Sequence, residues 1–315
     1  MAKISIIGAG SVGSTVAYTL AVKGLANEIV LIDINGEKAL GEALDIRQGL
    51  PFCSPGTVIY AGSYRDACDS DIVIVTSGVA RKPGQTRLDL AQTNVDIIKS
   101  IIPQITTYAP DATYIIVSNP VDVLTYVWCK YSDLPETKII GSGTILDTSR
   151  LRARISEYYN INQQNVHAYV FGEHGDSSFV PWSIANISNV PIHEYHNVIN
   201  SESNLYPSLN KEEVEAYMKK SGARVIQRKG ATFYAVSLSV CHICKCLLSA
   251  TDTTLTISTM MHGEYGIDDI CLSTLSIIGR DGIRGKLNPV LTEAEQVLLR
   301  KSADSLKAVI KSLNI

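Results

Sequence analysis

One histidine in the sequence has neighbours that suit proton transfer. The segment Gly172-Glu-His-Gly-Asp176 places His174 between flexible residues. An unperturbed histidine has a pKa of about 6.5, so it can donate or accept a proton near neutral pH. A lone histidine is more often a structural side chain, and its position alone leaves both roles open.

A carboxylate and a guanidinium that could serve this histidine lie on one predicted helix. Asp147 and Arg150 are three residues apart, so both side chains can face the same site. A carboxylate beside His174 would raise the pKa of the ring by stabilising the imidazolium. An ordinary ion pair on the helix surface is the alternative interpretation.

Basic residues are concentrated near a predicted loop. The loop spans Val79–Thr86, and Arg81, Lys82 and Arg87 lie in it or directly after it. Beside a bound cofactor, such a loop could fold over an anionic substrate and exclude water as it closes. A solvated basic loop is the alternative interpretation.

The amino-terminal glycines predict a dinucleotide site. Gly8, Gly10 and Gly13 follow the G-x-G-x-x-G spacing between a predicted buried strand and a predicted helix. These glycines allow a tight turn, approach of the backbone to a pyrophosphate, and close packing of helix on strand. Asp33 ends the next apolar run, where its carboxylate can accept hydrogen bonds from ribose hydroxyls and would repel a 2′-phosphate. The pattern therefore predicts NAD rather than NADP.

The first half of the chain alternates predicted strands and helices. Asp71–Thr76 and Thr113–Ser118 are apolar runs typical of parallel strands that are buried on both faces. Repeated β-α-β units predict an α/β fold, with an NAD-binding, doubly wound parallel sheet in residues 1–142. The mixed pattern that follows predicts an α+β catalytic domain in residues 143–315.

Shorter patterns predict further elements. Capping residues predict helices that begin at Asn210 and at Thr292. Pro103 is expected to bend or interrupt the helix after the basic loop. Other predicted elements are the helices Ala39–Gly49 and Ala231–Ser249, and the strands Thr57–Tyr60, Val166–Val170, Leu255–Met260, Ile270–Ser273 and Ser276–Ile278.

The composition excludes several classes of protein. The 315 residues are 45% hydrophobic and 19% charged, which is typical of a globular protein. A net charge of −3 gives no general reason to bind nucleic acid or an anionic membrane. Neither a secretory leader nor an apolar stretch long enough to span a membrane is expected. We therefore expect a cytoplasmic location.

The cysteines suggest a metal site only superficially. The chain has seven cysteines, of which three lie in Cys241-His-Ile-Cys-Lys-Cys246. This cluster continues an apolar helical run, and Cys246 lies well around the helix from Cys244. We therefore interpret the thiols as small buried hydrophobic side chains and expect no metal. A metalloprotein is the weaker alternative.

Together these residues resemble the L-lactate/malate dehydrogenase family, most closely its bacterial L-lactate dehydrogenases. The similarity covers essentially the whole chain. The matching motifs are Gly8-Ala-Gly-Ser-Val-Gly13, Arg81-Lys-Pro-Gly-Gln-Thr-Arg-Leu-Asp-Leu90, Ser118-Asn-Pro-Val-Asp122, Gly141-Ser-Gly-Thr-Ile-Leu-Asp-Thr-Ser-Arg150, Gly172-Glu-His-Gly-Asp176 and Lys229-Gly-Ala-Thr232.

The resemblance implies reduction of a 2-oxo acid by NADH. His174 would be the proton donor and acceptor, and Asp147 would orient it. Arg87 would polarise the substrate carbonyl, and Arg150 would bind the substrate carboxylate. Asn119 would contact both substrate and nicotinamide, and Thr232 would line the pocket. The other cofactor positions implied are Val12, Lys38, Tyr64, Gly78, Val79, Ser100, Val117 and Ser142.

The resemblance also implies an allosteric effector. In bacterial members activated by fructose 1,6-bisphosphate, an arginine and a histidine bind the sugar phosphates between subunits. Arg152 and His167 occupy those places here, which implies a homotetramer with such a site. A surface arginine and a strand histidine are the alternative interpretation.

The choice of substrate is where the sequence departs from the lactate-type pattern. Arg81 stands where lactate enzymes usually carry glutamine and malate enzymes carry arginine. Thr232 should crowd the larger side chain of oxaloacetate, and Leu88-Asp-Leu90 is lactate-like, whereas Gln85 matches neither type. We expect L-lactate dehydrogenase activity with measurable use of oxaloacetate, and a malate dehydrogenase is the alternative.

A protein of another class would share part of this pattern. A non-catalytic dinucleotide-binding protein would have the same glycine motif and Asp33. It would have no need to keep the proton-transfer and arginine residues at positions 87, 147, 150 and 174 together. Their joint presence favours an enzyme.

Overall fold

The computed structural model describes residues 2–53, 56–79, 86–198 and 209–315. Within these ranges the strands are β1 Lys3–Ile7, β2 Glu28–Ile32, β3 Val58–Ala61, β4 Ile72–Val75, β5 Thr113–Ile116, β6 Ile139–Gly141, β7 Val166–His167, β8 Asn186–Ile187, β9 Val190–Pro191, β10 Thr253–His262, β11 Asp268–Gly279 and β12 Gly282–Leu287. The helices are α1 Ser11–Lys23, α2 Gly36–Gly49, α3 Arg87–Thr106, α4 Val121–Tyr131, α5 Ile145–Tyr159, α6 Ile192–Val198, α7 Lys211–Lys229, α8 Tyr234–Leu247 and α9 Glu293–Lys311.

A nine-stranded sheet organises the described residues. Its spatial order is β12-β11-β10-β6-β5-β4-β1-β2-β3, and the six strands from β6 to β3 run parallel. The predicted α/β fold with a parallel sheet is therefore confirmed. Strand β10 joins β6 antiparallel through the pair Ser258 and Gly141, so the sheet continues past the predicted boundary between residues 142 and 143.

The central strand β4 shows why these segments are continuously apolar. Ile72 and Ile74 face the core that contains α1 and α8, whereas Val73 and Val75 face the core that contains α3 and α4. All four residues are buried. Alternate side chains therefore enter cores on opposite faces, and no polar position is tolerated in this strand.

A third core supports the predicted catalytic helix α5. Leu151 and Ile155 pack with Val214 and Met218 of α7 and with the short strands β7 and β8. The predicted capping of α7 by Asn210 is confirmed, since its side chain accepts the amide of Glu213. Helices α5 and α7 are therefore fixed side by side.

Some predicted elements have different bounds. The expected strand Val166–Val170 is reduced to β7, because the chain leaves the ladder after His167. The two strands expected at 270–273 and 276–278 are one strand, β11, which pairs on both sides, and β12 was not predicted. Pro103 lies inside α3 and does not interrupt it, since the helix continues to Thr106.

The cysteine cluster lies in the core, as predicted. Cys241, Cys244 and Cys246 of α8 are buried, and burial raises the pKa of each thiol. Among the described residues, no group of three His, Cys, Asp or Glu side chains is arranged to hold a metal ion.

No helix within the described residues is long and apolar enough to cross a membrane.

Candidate active site

The predicted histidine, carboxylate and arginine lie together. Nδ1 of His174 is 2.6 Å from Oδ2 of Asp147, and Nη1 of Arg150 donates a hydrogen bond of 2.9 Å to Oδ1 of the same carboxylate. Each carboxylate oxygen of Asp147 therefore makes one hydrogen bond, one with His174 and the other with Arg150. Because Nδ1 is engaged by Asp147, Nε2 is the ring nitrogen available for proton exchange with a substrate.

The charges of this group favour a protonated histidine. Burial alone would lower the pKa of His174, but the charge and hydrogen bond of Asp147, with the charge of Asp122, raise it above its ordinary value. Burial alone would raise the pKa of Asp147, but His174 and Arg150 lower it. The carboxylate and imidazolium therefore stabilise each other's charged forms.

Helix α5 positions Asp147 from its first turn. The hydroxyl of Thr144, the residue before α5, donates to the carbonyl of Val170 at 2.6 Å, and the hydroxyl of Thr148 accepts the amide of Val170 at 3.0 Å. The start of α5 is thus tied to the chain just before His174. Its positive helix end also favours a carboxylate in the first turn.

The glycine motif fits a dinucleotide by its local geometry. Gly8 has φ +104°, and a Cβ atom there would lie 2.8 Å from Oγ1 of Thr76. A Cβ atom on Gly13 would lie 1.8 Å from the carbonyl oxygen of Gly8, so only glycine allows this helix–strand contact. Gly10 faces open space among the described residues, and as the N-cap residue of α1 it has no side chain that could cap the helix. These features leave a helix end that can receive phosphate groups.

Asp33 lies at the next strand end. Its two carboxylate oxygens accept the amides of Ala9 at 2.6 Å and Asn35 at 2.8 Å. The pKa of Tyr64 is raised by burial and by the charge of Asp33, which places the phenol near this carboxylate. Lys38 is exposed in the first turn of α2. The residues predicted to bind the adenosine end of the cofactor therefore lie around Asp33.

A cavity of about 750 Å³ opens beyond the carboxyl ends of β1, β4 and β5. This is where ligands bind in open parallel α/β sheets. The predicted site residues that line it are Val12, Gly78, Val79, Val117, Asn119, Asp147, Arg150, His174 and Thr232. Ser142 lines a small adjoining cavity with Val117, Asn119 and His174.

Other predicted positions lie away from this cavity or outside the description. Ser100 is exposed on α3, and its hydroxyl donates to the carbonyl of Ile97. It is six residues beyond the cavity-lining Asn94, or about 9 Å along the helix. Arg81 lies outside the described residues, and so does the side chain of Arg87, whose backbone begins α3.

Several cavity residues were not predicted. Asn94 is buried on α3, donates to the carbonyl of Asn119 at 2.7 Å and accepts the amide of Val79 at 2.9 Å. The sequence signal that could have identified Asn94 is a polar residue at a position where the helical pattern expects a buried side chain. Helix α7 also contributes a wall formed by Met218, Lys219, Gly222, Ala223 and Ile226. The sequence predicted this helix, but it did not indicate which face of the helix would line the cavity.

The two predicted effector residues lie near each other on the chain's second half. Nε of Arg152 donates to the carbonyl of Ala168 at 3.0 Å, and its guanidinium lies over the ring of Tyr169 at 5.0 Å. His167, the residue before Ala168, is exposed. The structure thus places a partly buried arginine beside the strand that carries an exposed histidine.

Comparisons with known proteins agree across the whole chain. The family profile described as lactate/malate dehydrogenase, NAD binding domain, matches residues 2–141, and the alpha/beta C-terminal domain of that family matches residues 144–314. An L-lactate dehydrogenase of Thermoanaerobacterium saccharolyticum is 45% identical, with 100% of both chains covered. One of Clostridium botulinum is 47% identical over 98% of this chain and 96% of that protein.

A solved structure gives the same result. The ligand-bound crystal structure of the minor L-lactate dehydrogenase from Enterococcus mundtii matches with a TM-score of 0.94. Its sequence is 36% identical, and the match covers 100% of this chain and 99% of that one. The glycine turn, the cavity at the strand ends and the histidine–carboxylate pair therefore belong to an NAD-dependent 2-hydroxy acid dehydrogenase, and the chain is a member of the lactate/malate dehydrogenase family.

Proposed function

We propose that this protein is an L-lactate dehydrogenase that reversibly converts pyruvate and NADH to L-lactate and NAD. The observation that carries the proposal is the arrangement of His174, Asp147 and Arg150 beside a cavity next to the dinucleotide turn. Relatives at 45% and 47% identity over nearly the full chain are named L-lactate dehydrogenase.

His174 is the proposed proton donor in pyruvate reduction. Asp147 raises the pKa of His174 and so favours the protonated ring, and it fixes Nδ1 so that Nε2 carries the transferable proton. When bound, NADH supplies the hydride. In the reverse direction the neutral ring accepts the proton of the L-lactate hydroxyl, and Asp147 stabilises the imidazolium that forms.

The substrate contacts follow from the same cavity. Asp147 occupies one of the N–H donors of Arg150, which has five, so a paired contact to a substrate carboxylate remains feasible. We assign Asn119 to the substrate carbonyl and nicotinamide, and Thr232 to the wall of the pocket. We assign Arg87, at the start of α3, to polarising the carbonyl.

The residues that we propose to contact NAD are those predicted from the sequence. Asp33 is proposed to bind the adenosine ribose, supported by its place at the end of β2. The remaining positions are Gly8, Gly10, Val12, Gly13, Lys38, Tyr64, Gly78, Val79, Ser100, Val117, Asn119 and Ser142. Ser100 has the weakest support, because it lies on the exposed side of α3. The proposed division into residues 1–142 and 143–315 assigns all of these contacts to the first domain.

A malate dehydrogenase is the second candidate, and Arg81 favours it. An arginine in the basic loop could pair with the second carboxylate of oxaloacetate. Thr232, which lines the cavity, favours the smaller pyruvate methyl group. We propose pyruvate as the preferred substrate, with measurable activity on oxaloacetate.

Regulation and assembly are proposed from the same residues. Arg152 and His167 are proposed to bind the phosphates of fructose 1,6-bisphosphate between subunits of a homotetramer in the cytoplasm. Their support is that Arg152 contacts the residue next to the exposed His167. A partly buried arginine and a histidine supply suitable donors for phosphate oxygens.

The substrate proposal is tested by following NADH loss with pyruvate and with oxaloacetate. We expect a higher kcat/KM for pyruvate, because Thr232 restricts the pocket. Arg81→Gln should lower kcat/KM for oxaloacetate about 10- to 100-fold more than for pyruvate, the effect of losing one charge-assisted pair. Lys82→Gln is the matched control. A higher wild-type kcat/KM for oxaloacetate than for pyruvate would contradict the proposal. Equal falls in kcat/KM for the two substrates in Arg81→Gln would show that Arg81 does not contact the substrate.

The proton-transfer role is tested by Asp147→Asn. This change keeps the size of the side chain but removes a charge-assisted hydrogen bond, so kcat for pyruvate should fall about 10- to 100-fold. The pKa of His174 should fall, so the high-pH loss of pyruvate reduction should begin at lower pH. Glu157→Gln, on the exposed part of α5, is the control. A wild-type pH profile in Asp147→Asn would refute the assigned role.

The effector proposal is tested by measuring KM for pyruvate with and without fructose 1,6-bisphosphate. We expect the effector to lower KM for pyruvate. His167→Gln should raise the effector concentration needed for half of this effect about tenfold, because it removes one partner of a phosphate group. The equally exposed His193→Gln is the control. An effector response that His167→Gln leaves unchanged, or no response in the wild type, would contradict the proposed site.

A further inference from the structure

Three successive backbone amides around the histidine are held by three different elements. The amides belong to residues 172–174, in what we call the histidine segment, residues 172–178. In chain order the acceptors are the carbonyl of Ser273 on β11 at 3.0 Å, the hydroxyl of Ser302 on α9 at 2.9 Å and Oδ2 of Asp122 on α4 at 2.7 Å. Asp122 is the one acceptor of the three that can carry a charge.

Asp122 is held under conditions that do not favour a carboxylate. The residue is 3% exposed, and among the described residues its Oδ1 atom makes no hydrogen bond of standard geometry, although the hydroxyl of Ser258 on β10 lies close enough to lower the pKa of the carboxyl group. A buried charge with one poorly paired oxygen costs folding free energy. An asparagine of the same size could accept the amide of His174 without that cost. Stability alone therefore does not account for a carboxylate at this position.

We propose that Asp122 is a positioning residue for the proton transfer, which anchors the backbone of His174 and helps to hold the proton on its ring. The proposal rests on the dehydrogenase function proposed above. Asp147 binds the imidazole ring, and Asp122 binds the backbone of the same residue from a different helix. The histidine is thus held between two carboxylates with separate roles.

The charges around Asp122 support this arrangement. Its charge is among the causes that raise the pKa of His174. Burial raises the pKa of Asp122 to about 6, opposed by Ser258 of β10 and by the amide and charge of His174. Glu173 of the histidine segment and the thiol of Cys271 on β11 are the other titratable groups that face it. Above pH 6 Asp122 is therefore mainly ionised and acts on His174 as a negative charge.

The same shift predicts an unusual effect on stability. Because the pKa of Asp122 is higher in the folded state, the folded protein binds this proton more tightly than the unfolded chain does. The stabilisation of the folded state by protonated Asp122 is complete below the unfolded pKa of about 4, and it is lost as the pH rises through about 6. At pH 7.5, Asp122→Asn should therefore leave Tm unchanged or raise it.

The test combines the pH profile of pyruvate reduction with a titration of His174. In protein labelled with ¹⁵N-histidine, the ring signal of His174 is assigned by its loss in His174→Asn. We expect Asp122→Asn to lower the pKa of His174 by about one unit, the effect of removing a nearby charge. The high-pH limb of kcat/KM should move by the same amount, with no loss of Tm at pH 7.5.

Ser302→Ala is the matched control, because it removes a neighbouring anchor that carries no charge. It should lower kcat without moving the pKa of His174. An unchanged pKa in Asp122→Asn, or an equal shift in Ser302→Ala, would overturn the proposal. A fall in Tm at pH 7.5 with an unchanged pH profile would assign Asp122 a structural role only and would also overturn it.

A measurement on the wild-type protein does not depend on the folding of any variant. The side-chain carboxyl ¹³C signal of Asp122 should titrate near pH 6, because this signal reports directly on the proton that the buried carboxyl group gains. A flat signal across that range would contradict the proposal. Because the NMR titrations do not need turnover, a shift without pyruvate reduction would refute the proposed function while supporting the role of Asp122.

Discussion

The arrangement of this site depends on one ion pair, between His174 and Asp147. A carboxylate that is only 6% exposed is tolerated in a protein interior when its charge is compensated. Here one oxygen meets the imidazole ring and the other meets Arg150. Removing either partner would leave one buried carboxylate oxygen unpaired. The pair to which we assign proton transfer therefore also restricts how the surrounding chain can be arranged.

The sheet supplies the other constraint, which is where the two halves of the site meet. Parallel strands β1, β4 and β5 end at one edge, and the glycine turn and the cavity lie just beyond them. Strand β10 continues the same sheet from β6, and Gly143 lies against it so closely that a Cβ atom there would be 2.6 Å from the amide of Ser258. The start of α5, with Asp147, is consequently fixed against the same sheet whose parallel strands end beside the dinucleotide turn.

Local patterns predicted the parts of the structure that depend on local interactions. The capping box at Thr292 and Glu295 forms as expected, because its partners are three residues apart. The strand expected through Val170 fails, because the amide of Val170 instead donates to the hydroxyl of Thr148. Such a contact over 22 residues leaves no periodic signal in the sequence.

The same reasoning applies to the site. Spacing predicted that Asp147 and Arg150 share one helix face, and the flanking residues of His174 suggested this histidine as their partner. The role of Asp122 escaped prediction, because an acidic residue in the first turn of α4 is explained equally well by the helix dipole. Only the fold shows that it reaches an amide 52 residues away.

The most direct measurement compares the pH dependence of kcat/KM in the two directions of the reaction. If His174 exchanges the proton, pyruvate reduction should fall with rising pH, and L-lactate oxidation should rise, with the same apparent pKa. Because Asp147 stabilises the imidazolium, that pKa should lie above the ordinary value of 6.5. Limbs that move in the same direction, or a shared pKa below that value, would contradict the account.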